Sequence, residues 1–232
     1  MEGNFRKILV YVTIFLTVAI IAILAIMLKQ VFSSQSVPQN PADQAYIVAK
    51  ALTTKNPKDA DGWFRLAKAE ADMGRTGDAV SHFKKAIELK PAAPMLHYTL
   101  GLVLEDSGKE EEAIKEYQNE LRVTEGKNEL ALYELGRIAN KRKQFTQAVA
   151  YLQQALVRMA GGADAHYELG KAYVGLGKDD LAMKEFNETL RYIPDHTDAQ
   201  IAIQQLQMKK VGATGTTGTN GKTTTTTVPN KK

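Results

Sequence analysis

Trp63-Phe64-Arg65-Leu66-Ala67-Lys68-Ala69-Glu70 is the stretch that decides the fold of this chain, because it returns three times. It recurs as His97-Tyr98-Thr99-Leu100-Gly101-Leu102-Val103-Leu104, then as Leu132-Tyr133-Glu134-Leu135-Gly136-Arg137-Ile138-Ala139, and last as His166-Tyr167-Glu168-Leu169-Gly170-Lys171-Ala172-Tyr173. The steps are 34, 35 and 34 residues. Twelve residues after each small residue stands an alanine: Ala79, Ala113, Ala148 and Ala182. Four further on comes a ring or a leucine: Phe83, Tyr117, Leu152 and Phe186. A fixed period of this length marks a stack of units that bury their apolar faces only against their neighbours.

Each unit reads as two helices. The apolar positions fall at i, i+3, i+4 and i+7, as in Ala79, Phe83, Ala86 and Ile87, and these share one helix face. Gly74, Gly108 and Gly177 lie in the breaks between the helices. The small residues stand where two backbones must approach closely. Pro91 and Pro194 end second helices, because proline cannot continue the internal hydrogen-bond ladder.

The joint pattern closely resembles the tetratricopeptide repeat (TPR) over about residues 60–196. In the first copy Trp63, Leu66, Ala67, Gly74, Ala79, Phe83, Ala86 and Pro91 all stand at the family's places. Elsewhere His97, Leu132 and His166 replace Trp63. Glu120 and Thr189 replace the small residue of Ala86 and Ala155, and Glu125 and Ala160 stand where proline is expected. The longer step is assigned to the polar run Glu125-Gly126-Lys127-Asn128, since loops tolerate insertions. The resemblance implies an all-α chain: a right-handed α-solenoid of about four TPR helix pairs with flanking capping helices. Repeat units are expected at 60–93, 94–128, 129–162 and 163–196. It also implies a protein-binding scaffold and no enzyme.

The flanks complete the stack. Residues 41–56 are expected to form an N-terminal capping helix that starts at Pro41 and lays Ala45, Val48, Ala49 and Leu52 on the first repeat. Residues 197–210 are expected to form the closing helix, with Ala199, Ile201, Ile203, Leu206 and Met208 among polar residues. Residues 211–232 hold nine threonines with Gly, Asn and Lys, too few apolar groups to offset chain entropy, so a disordered tail is expected.

Residues 8–28 form a run without a charge, rich in Ile, Leu and Val. At about 1.5 Å per residue it spans roughly 30 Å, the thickness of bilayer hydrocarbon. A cleaved signal peptide has an apolar core of about 7–15 residues and a small-x-small site, and only Ser34-Gln35-Ser36 approaches one here. A transmembrane signal anchor is therefore expected, after an N-terminal tail at 1–7 and before a polar linker at 29–40. Arg6 and Lys7 precede the run and Lys29 alone follows it closely. The positive-inside rule then puts the N-terminus in the cytoplasm and the repeats on the outer side, in a bacterial periplasm or its equivalent. The absence of cysteine excludes a lipid-modified N-terminal Cys.

The sequence offers little chemistry. Gly218-Thr219-Asn220-Gly221-Lys222-Thr223-Thr224-Thr225 resembles the phosphate loop of Mur ligases. Such a loop must follow a strand and open a helix. Here it sits in the threonine-rich tail, and Thr216 stands where the first glycine of the general pattern belongs. His97 and His166 stand two repeats apart, roughly 20 Å or more, too far to share a metal. No catalytic residues, cofactor or metal site are expected. The net charge of +4 over 232 residues does not argue for nucleic acid.

The feature with functional content is a ladder on the first helices. Phe64, Tyr98, Tyr133 and Tyr167 each lie two residues before the repeat's leucine, and Lys68, Leu102, Arg137 and Lys171 follow one turn later on the same face. In a TPR stack this face lines the concave groove. The expected site is a groove of rings about 10 Å apart, bordered by three cations and suited to a protein or peptide partner with acidic groups. It does not resemble the carboxylate clamp of chaperone-binding TPR proteins, because Phe64 and Thr99 stand where polar clamp residues belong. The anchor and the stretch from Asn56 to Trp63 carry a local likeness to bacterial TPR proteins of cytochrome c maturation. The alternative reading is a scaffold that self-assembles through repeat ends or convex faces.

Overall fold

The structure, a computed structural model, describes residues 13–27 and 40–215, with side chains described through 211. Every element among them is a helix. Helix α1 covers 13–27, and its apolar side chains, Ile14, Phe15 and Leu24 among them, are exposed. It lies inside the expected anchor at 8–28, whose two ends fall outside the described residues. Among the described residues no helix is long and apolar enough to cross a membrane.

The stack itself runs α2 (Pro41–Lys55), α3 (Ala60–Asp72), α4 (Thr76–Leu89), α5 (Leu96–Asp106), α6 (Glu110–Val123), α7 (Glu129–Lys141), α8 (Phe145–Leu156), α9 (Ala163–Gly175), α10 (Asp179–Tyr192) and α11 (Thr197–Gly215). Each helix packs on the next, and α7 also touches α9. Four antiparallel pairs result: α3/α4, α5/α6, α7/α8 and α9/α10.

The sequence period becomes a packing period. Ala79, Ala113, Ala148 and Ala182 are fully buried, as are Phe83, Tyr117 and Leu152, with Phe186 1% exposed. Opposite these large side chains the first helices offer Ala67, Gly101, Gly136 and Gly170. A Cβ on Gly101 would lie 2.5 Å from the Tyr117 ring, one on Gly136 2.6 Å from Leu152, and one on Gly170 2.5 Å from Phe186. The small residue is thus set by the ring that fills its place.

The turn between paired helices repeats as closely. The amides of Arg75, Lys109, Gln144 and Lys178 reach back to Glu70, Leu104, Ala139 and Tyr173 at 2.8–2.9 Å. This is the Schellman closure, which needs a left-handed residue just past the helix end. Gly74, Gly108 and Gly177 supply it at φ 73°, 78° and 69°, but the third repeat uses Lys143 at φ 59°. A side chain there is strained against the following carbonyl. Lys143→Gly is expected to stabilise the stack by about 0.5–1 kcal/mol, raising the melting temperature by about 1–4 °C. A thermal melt showing no gain would contradict this reading of the turn.

The longer step lies between α6 and α7, where Glu125 and Gly126 take successive left-handed conformations (φ 52° and 74°) before Asn128 caps α7 through Ala131 N–H at 2.9 Å.

One expectation is corrected at the N-terminal end. Of the row Ala45, Val48, Ala49 and Leu52, only Ala49 is buried, joined by Thr53, while Val48 is 48% and Leu52 37% exposed. The phase explains it. Ala45, Ala49 and Leu52 precede Pro57 by the same 12, 8 and 5 residues by which Ala79, Phe83 and Ala86 precede Pro91. α2 is therefore in the register of a second helix, and among the described residues nothing covers the positions that would meet a first helix. The closing helix buries Ala199 and Leu206 and leaves Ile201 and Met208 exposed. It extends to Gly215, into the segment expected to be a disordered tail.

Candidate functional site

Phe64, Tyr98, Tyr133 and Tyr167 occupy equivalent positions on α3, α5, α7 and α9, and all four are half-buried. Each leans on the large residue of its own repeat. Phe64 meets Phe83 with ring centroids 5.7 Å apart, Tyr98 meets Tyr117 at 5.9 Å, and Tyr167 meets Phe186 at 5.7 Å. Tyr133 packs on the cluster that contains Leu152. The rings therefore support helix pairing. The hydroxyls of Tyr98, Tyr133 and Tyr167, however, make no hydrogen bond among the described residues. By contrast, Tyr117 donates to Glu105 at 3.1 Å and the Tyr173 hydroxyl accepts from Gln153 at 3.0 Å. Three phenols on one row are thus left to bond something outside the fold.

The second row differs from the expected cationic border. Lys68 is exposed and Leu102 half-buried, packed on the core. Arg137 is held between Glu105 and Glu134, the latter at 2.8 Å. Burial alone would lower its guanidinium; the hydrogen bonds to those two carboxylates outweigh burial and raise it. Lys171 bonds Glu168 at 2.7 Å and lies 5.3 Å from the Tyr167 ring centre. Two of the three expected cations are therefore already neutralised.

Sequence reading missed those carboxylates. Glu105 follows Leu102 by three residues and Asn140 follows Arg137 by three, one turn along the same face, so the signal was present in the repeat register. Asn140 spans the seam between α7 and α9, its amide donating to the Glu168 carbonyl and carboxylate at 2.8 Å each. Its Oδ1 is buried and has no hydrogen-bond partner among the described residues. Buried acceptors are nearly always paired, so this oxygen is an unsatisfied group closed inside the seam.

The carboxylates leave their mark on the tyrosines. Burial first, and then Asp164, Glu134 and Glu168, push Tyr133 up to about 12. Burial and then Glu134 raise Tyr98, while burial, Asp198 and Glu168 raise Tyr167. Burial also raises Glu134, against the pull of Arg137.

Next to this row, between α9, α10 and α11, lies a cavity of about 500 Å³. Tyr167, Lys171 and Asp198 stand at it, with Val174, Ile201 and Leu206 among its apolar walls. Ile201 is the residue 34 positions after Tyr167, so the cavity opens where the ladder of rings ends.

The histidines serve helix pairing. His97 is buried and its Nδ1 meets Glu116 at 2.6 Å; His166 Nδ1 meets Glu185 at 2.7 Å, with the same spacing along the chain. They replace the first repeat's tryptophan by a polar tie rather than by apolar packing alone. Burial would raise the Glu116 carboxyl, but hydrogen bonds from His97 and Asn119 outweigh it and hold the group below its ordinary value. Among the described residues no group of three or more His, Cys, Asp or Glu is placed to hold a metal. The Lys222 loop lies outside the described residues.

Comparison with known proteins agrees with this geometry. Two family models described as tetratricopeptide repeat match the chain, one at 139–206 and one at 48–94, 64–128 and 98–163. Among curated proteins, the chain is 28% identical over 162 residues to human "Protein O-mannosyl-transferase TMTC3", covering 67% of this chain and 17% of that protein. It is 30% identical over 149 residues to "TPR repeat-containing protein MJ1428" of Methanocaldococcus jannaschii, covering 63% of this chain and 26% of that one. The chain thus spans about a quarter or less of these relatives' length. Among solved structures it is similar to YrrB, described as "a TPR protein with an unusual peptide-binding site", at a TM-score of 0.63, 24% identity and coverage of 70% and 84%. It is also similar to MamA at 0.57, 24% identity and coverage of 65% and 82%. Identities at this level speak for the fold. The matched segments together run from 48 to 206, well over half the chain, and with the four stacked helix pairs they establish that it belongs to the tetratricopeptide repeat family, a protein-interaction fold.

Proposed function

We propose that this chain is a membrane-tethered adaptor whose inner face, lined by α3, α5, α7 and α9, binds a segment of a partner protein and holds it beside a bilayer. The observation that carries the reading is the row of three half-buried tyrosines whose hydroxyls have no partner among the described residues. Groups that served packing alone would be phenylalanine, as Phe64 is. The uncharged run at 8–28 is the proposed anchor, and the exposed apolar surface of α1 suits lipid. The charge bias around it favours a cytoplasmic N-terminus with the repeats on the extracytoplasmic side. Recruitment to a membrane-associated assembly or maturation pathway follows from that placement, and cytochrome c maturation is the pathway to which the local likeness points.

The test is crosslinked capture from membranes with the full chain and with Tyr98, Tyr133 and Tyr167 each changed to alanine in one variant, circular dichroism confirming the helical fold. Partner recovery should fall about tenfold or more, the scale of losing two or three interface contacts of roughly 1 kcal/mol each. Unchanged recovery would remove the groove. The exposed Val48 and Leu52 of α2 favour a second reading, a self-assembling scaffold. It would be supported if Leu52→Glu abolished self-association while leaving capture intact.

A further inference from the structure

We infer that the inner face selects a basic, extended partner segment that seats an apolar side chain in the cavity between α9, α10 and α11. This rests on the groove proposed above and goes further by fixing the partner's chemistry, opposite in sign to the acidic partner expected from sequence.

The cavity provides the anchor. About 500 Å³ walled by Val174, Ile201 and Leu206 lies within the range of ligand pockets and holds a leucine or phenylalanine side chain. Unpaired charge decides what flanks that anchor. The cations nearby are already engaged: Arg137 with Glu105 and Glu134, Lys171 with Glu168, and Lys209 with Asp179 at 2.6 Å. Asp164 and Asp198 are exposed and make no ion pair among the described residues. An acidic segment would have to break existing pairs and lie beside two free carboxylates. A basic segment pairs with both and disturbs nothing. Burial is the main cause that raises Tyr98, Tyr133 and Tyr167, and the neighbouring carboxylates Glu134, Asp164, Asp198 and Glu168 add to it in the second place. The chain as a whole carries +4 and would repel a basic peptide elsewhere, so the preference is local.

Register follows from the repeat. Asp164 and Asp198 are equivalent residues on neighbouring first helices, 34 residues apart. Helices pack at about 8–10 Å and an extended chain advances about 3.3 Å per residue. At that spacing the two aspartates match basic side chains about three residues apart, with the Tyr167 hydroxyl free to bond the backbone between them and the Tyr133 hydroxyl the backbone beyond Asp164.

The probe is a fluorescein-labelled peptide of about twelve residues with lysine at every third position and leucine between, alongside versions with Gln or Glu in place of Lys. Anisotropy is measured with the full chain in detergent. The lysine peptide should bind about tenfold tighter than the glutamine peptide and the glutamate peptide more weakly still. The preference should shrink below about threefold in Asp164→Asn/Asp198→Asn. Ala202→Phe, which fills the cavity, should weaken all three peptides. If the glutamate peptide binds best and binding still needs Tyr133, the charge assignment is overturned and the groove stands. If binding ignores both Tyr133→Ala and Ala202→Phe, groove and charge assignment fall together. Absence of binding by every peptide also overturns the inference, since anchor and charge are claimed to suffice.

Discussion

Glu120→Ala is expected to lower the stability of the stack by about 3 kcal/mol, although alanine is what two other repeats carry at that position. Glu120 is fully buried in α6. Its carboxylate accepts from the Met95 amide at 2.8 Å, the Tyr98 amide at 3.2 Å and the Asn128 side chain at 2.8 Å. The reason lies at the start of α5. The first helices α3 and α7 are capped by Asp59 and Asn128 from their own chain ends, and the facing positions are Ala86 and Ala155. α5 begins at Met95, in a left-handed conformation at φ 71° with no side-chain cap. Glu120 supplies the missing acceptor from 25 residues away, where negative charge also suits the helix dipole. Removing it strands two amides and an amide side chain in the interior, each costing about 1–3 kcal/mol if unsatisfied, with partial relaxation reducing the sum. Urea unfolding measures the loss, and hydrogen exchange at Met95–Tyr98 places it. A change below about 1 kcal/mol would show that the cap is dispensable.

Gly170→Val should cost about 3 kcal/mol by the opposite mechanism, overpacking. A Cβ alone at Gly170 would lie 2.5, 2.7 and 3.0 Å from three atoms of the Phe186 ring. That ring is 1% exposed and packed with Leu169, Ala182 and Leu206, so to admit the methyls it must shift toward the neighbouring cavity or α9 and α10 must separate. Overpacking of this kind costs about 1–3 kcal/mol, and a β-branched residue adds a few tenths through helix propensity. The first repeat shows the tolerance limit, with Ala67 against Phe83. The third keeps glycine even against a leucine, since a Cβ on Gly136 would lie 2.6 Å from Leu152. Phe186→Ala removes the contacting ring, so the losses of Gly170→Val and Phe186→Ala should be less than additive in a double-mutant cycle. Simple additivity of the two losses would mean that these residues do not share one space.

These two cases mark what was legible in the chain and what was not. Gly170 and Phe186 lie in a period that the sequence repeats four times, so their contact could be read from spacing alone. Glu120 broke that period, and breaking it was the sign of its role, but its partners Met95, Tyr98 and Asn128 lie on two other helices. The acidic run at Glu110–Glu112 was legible as a favourable helix start. That Glu110 and Glu111 also hold Arg142, at 2.7 and 2.6 Å, depends on how far one repeat is rotated on the next, which no local pattern encodes. The groove divides in the same way. The tyrosine row was legible because side chains 34 or 35 residues apart fall on equivalent helices. Its electrostatics were not, because Arg137 and Lys171 find carboxylates within and between repeats and cease to be free cations. The register of α2 was in the spacing before Pro57, but only the exposure of Leu52 showed that no described helix covers that face.

Site-resolved photocrosslinking in native membranes tests the central claim, that the inner face of the stack is the surface the partner occupies. A benzophenone amino acid is placed at Tyr98 or Tyr133 on the first helices, and at the exposed Gln118 or Gln154 on the second helices. The account predicts one discrete adduct from the Tyr98 and Tyr133 positions and none from Gln118 or Gln154. Adducts from the second-helix positions, with none from the tyrosine row, would contradict it.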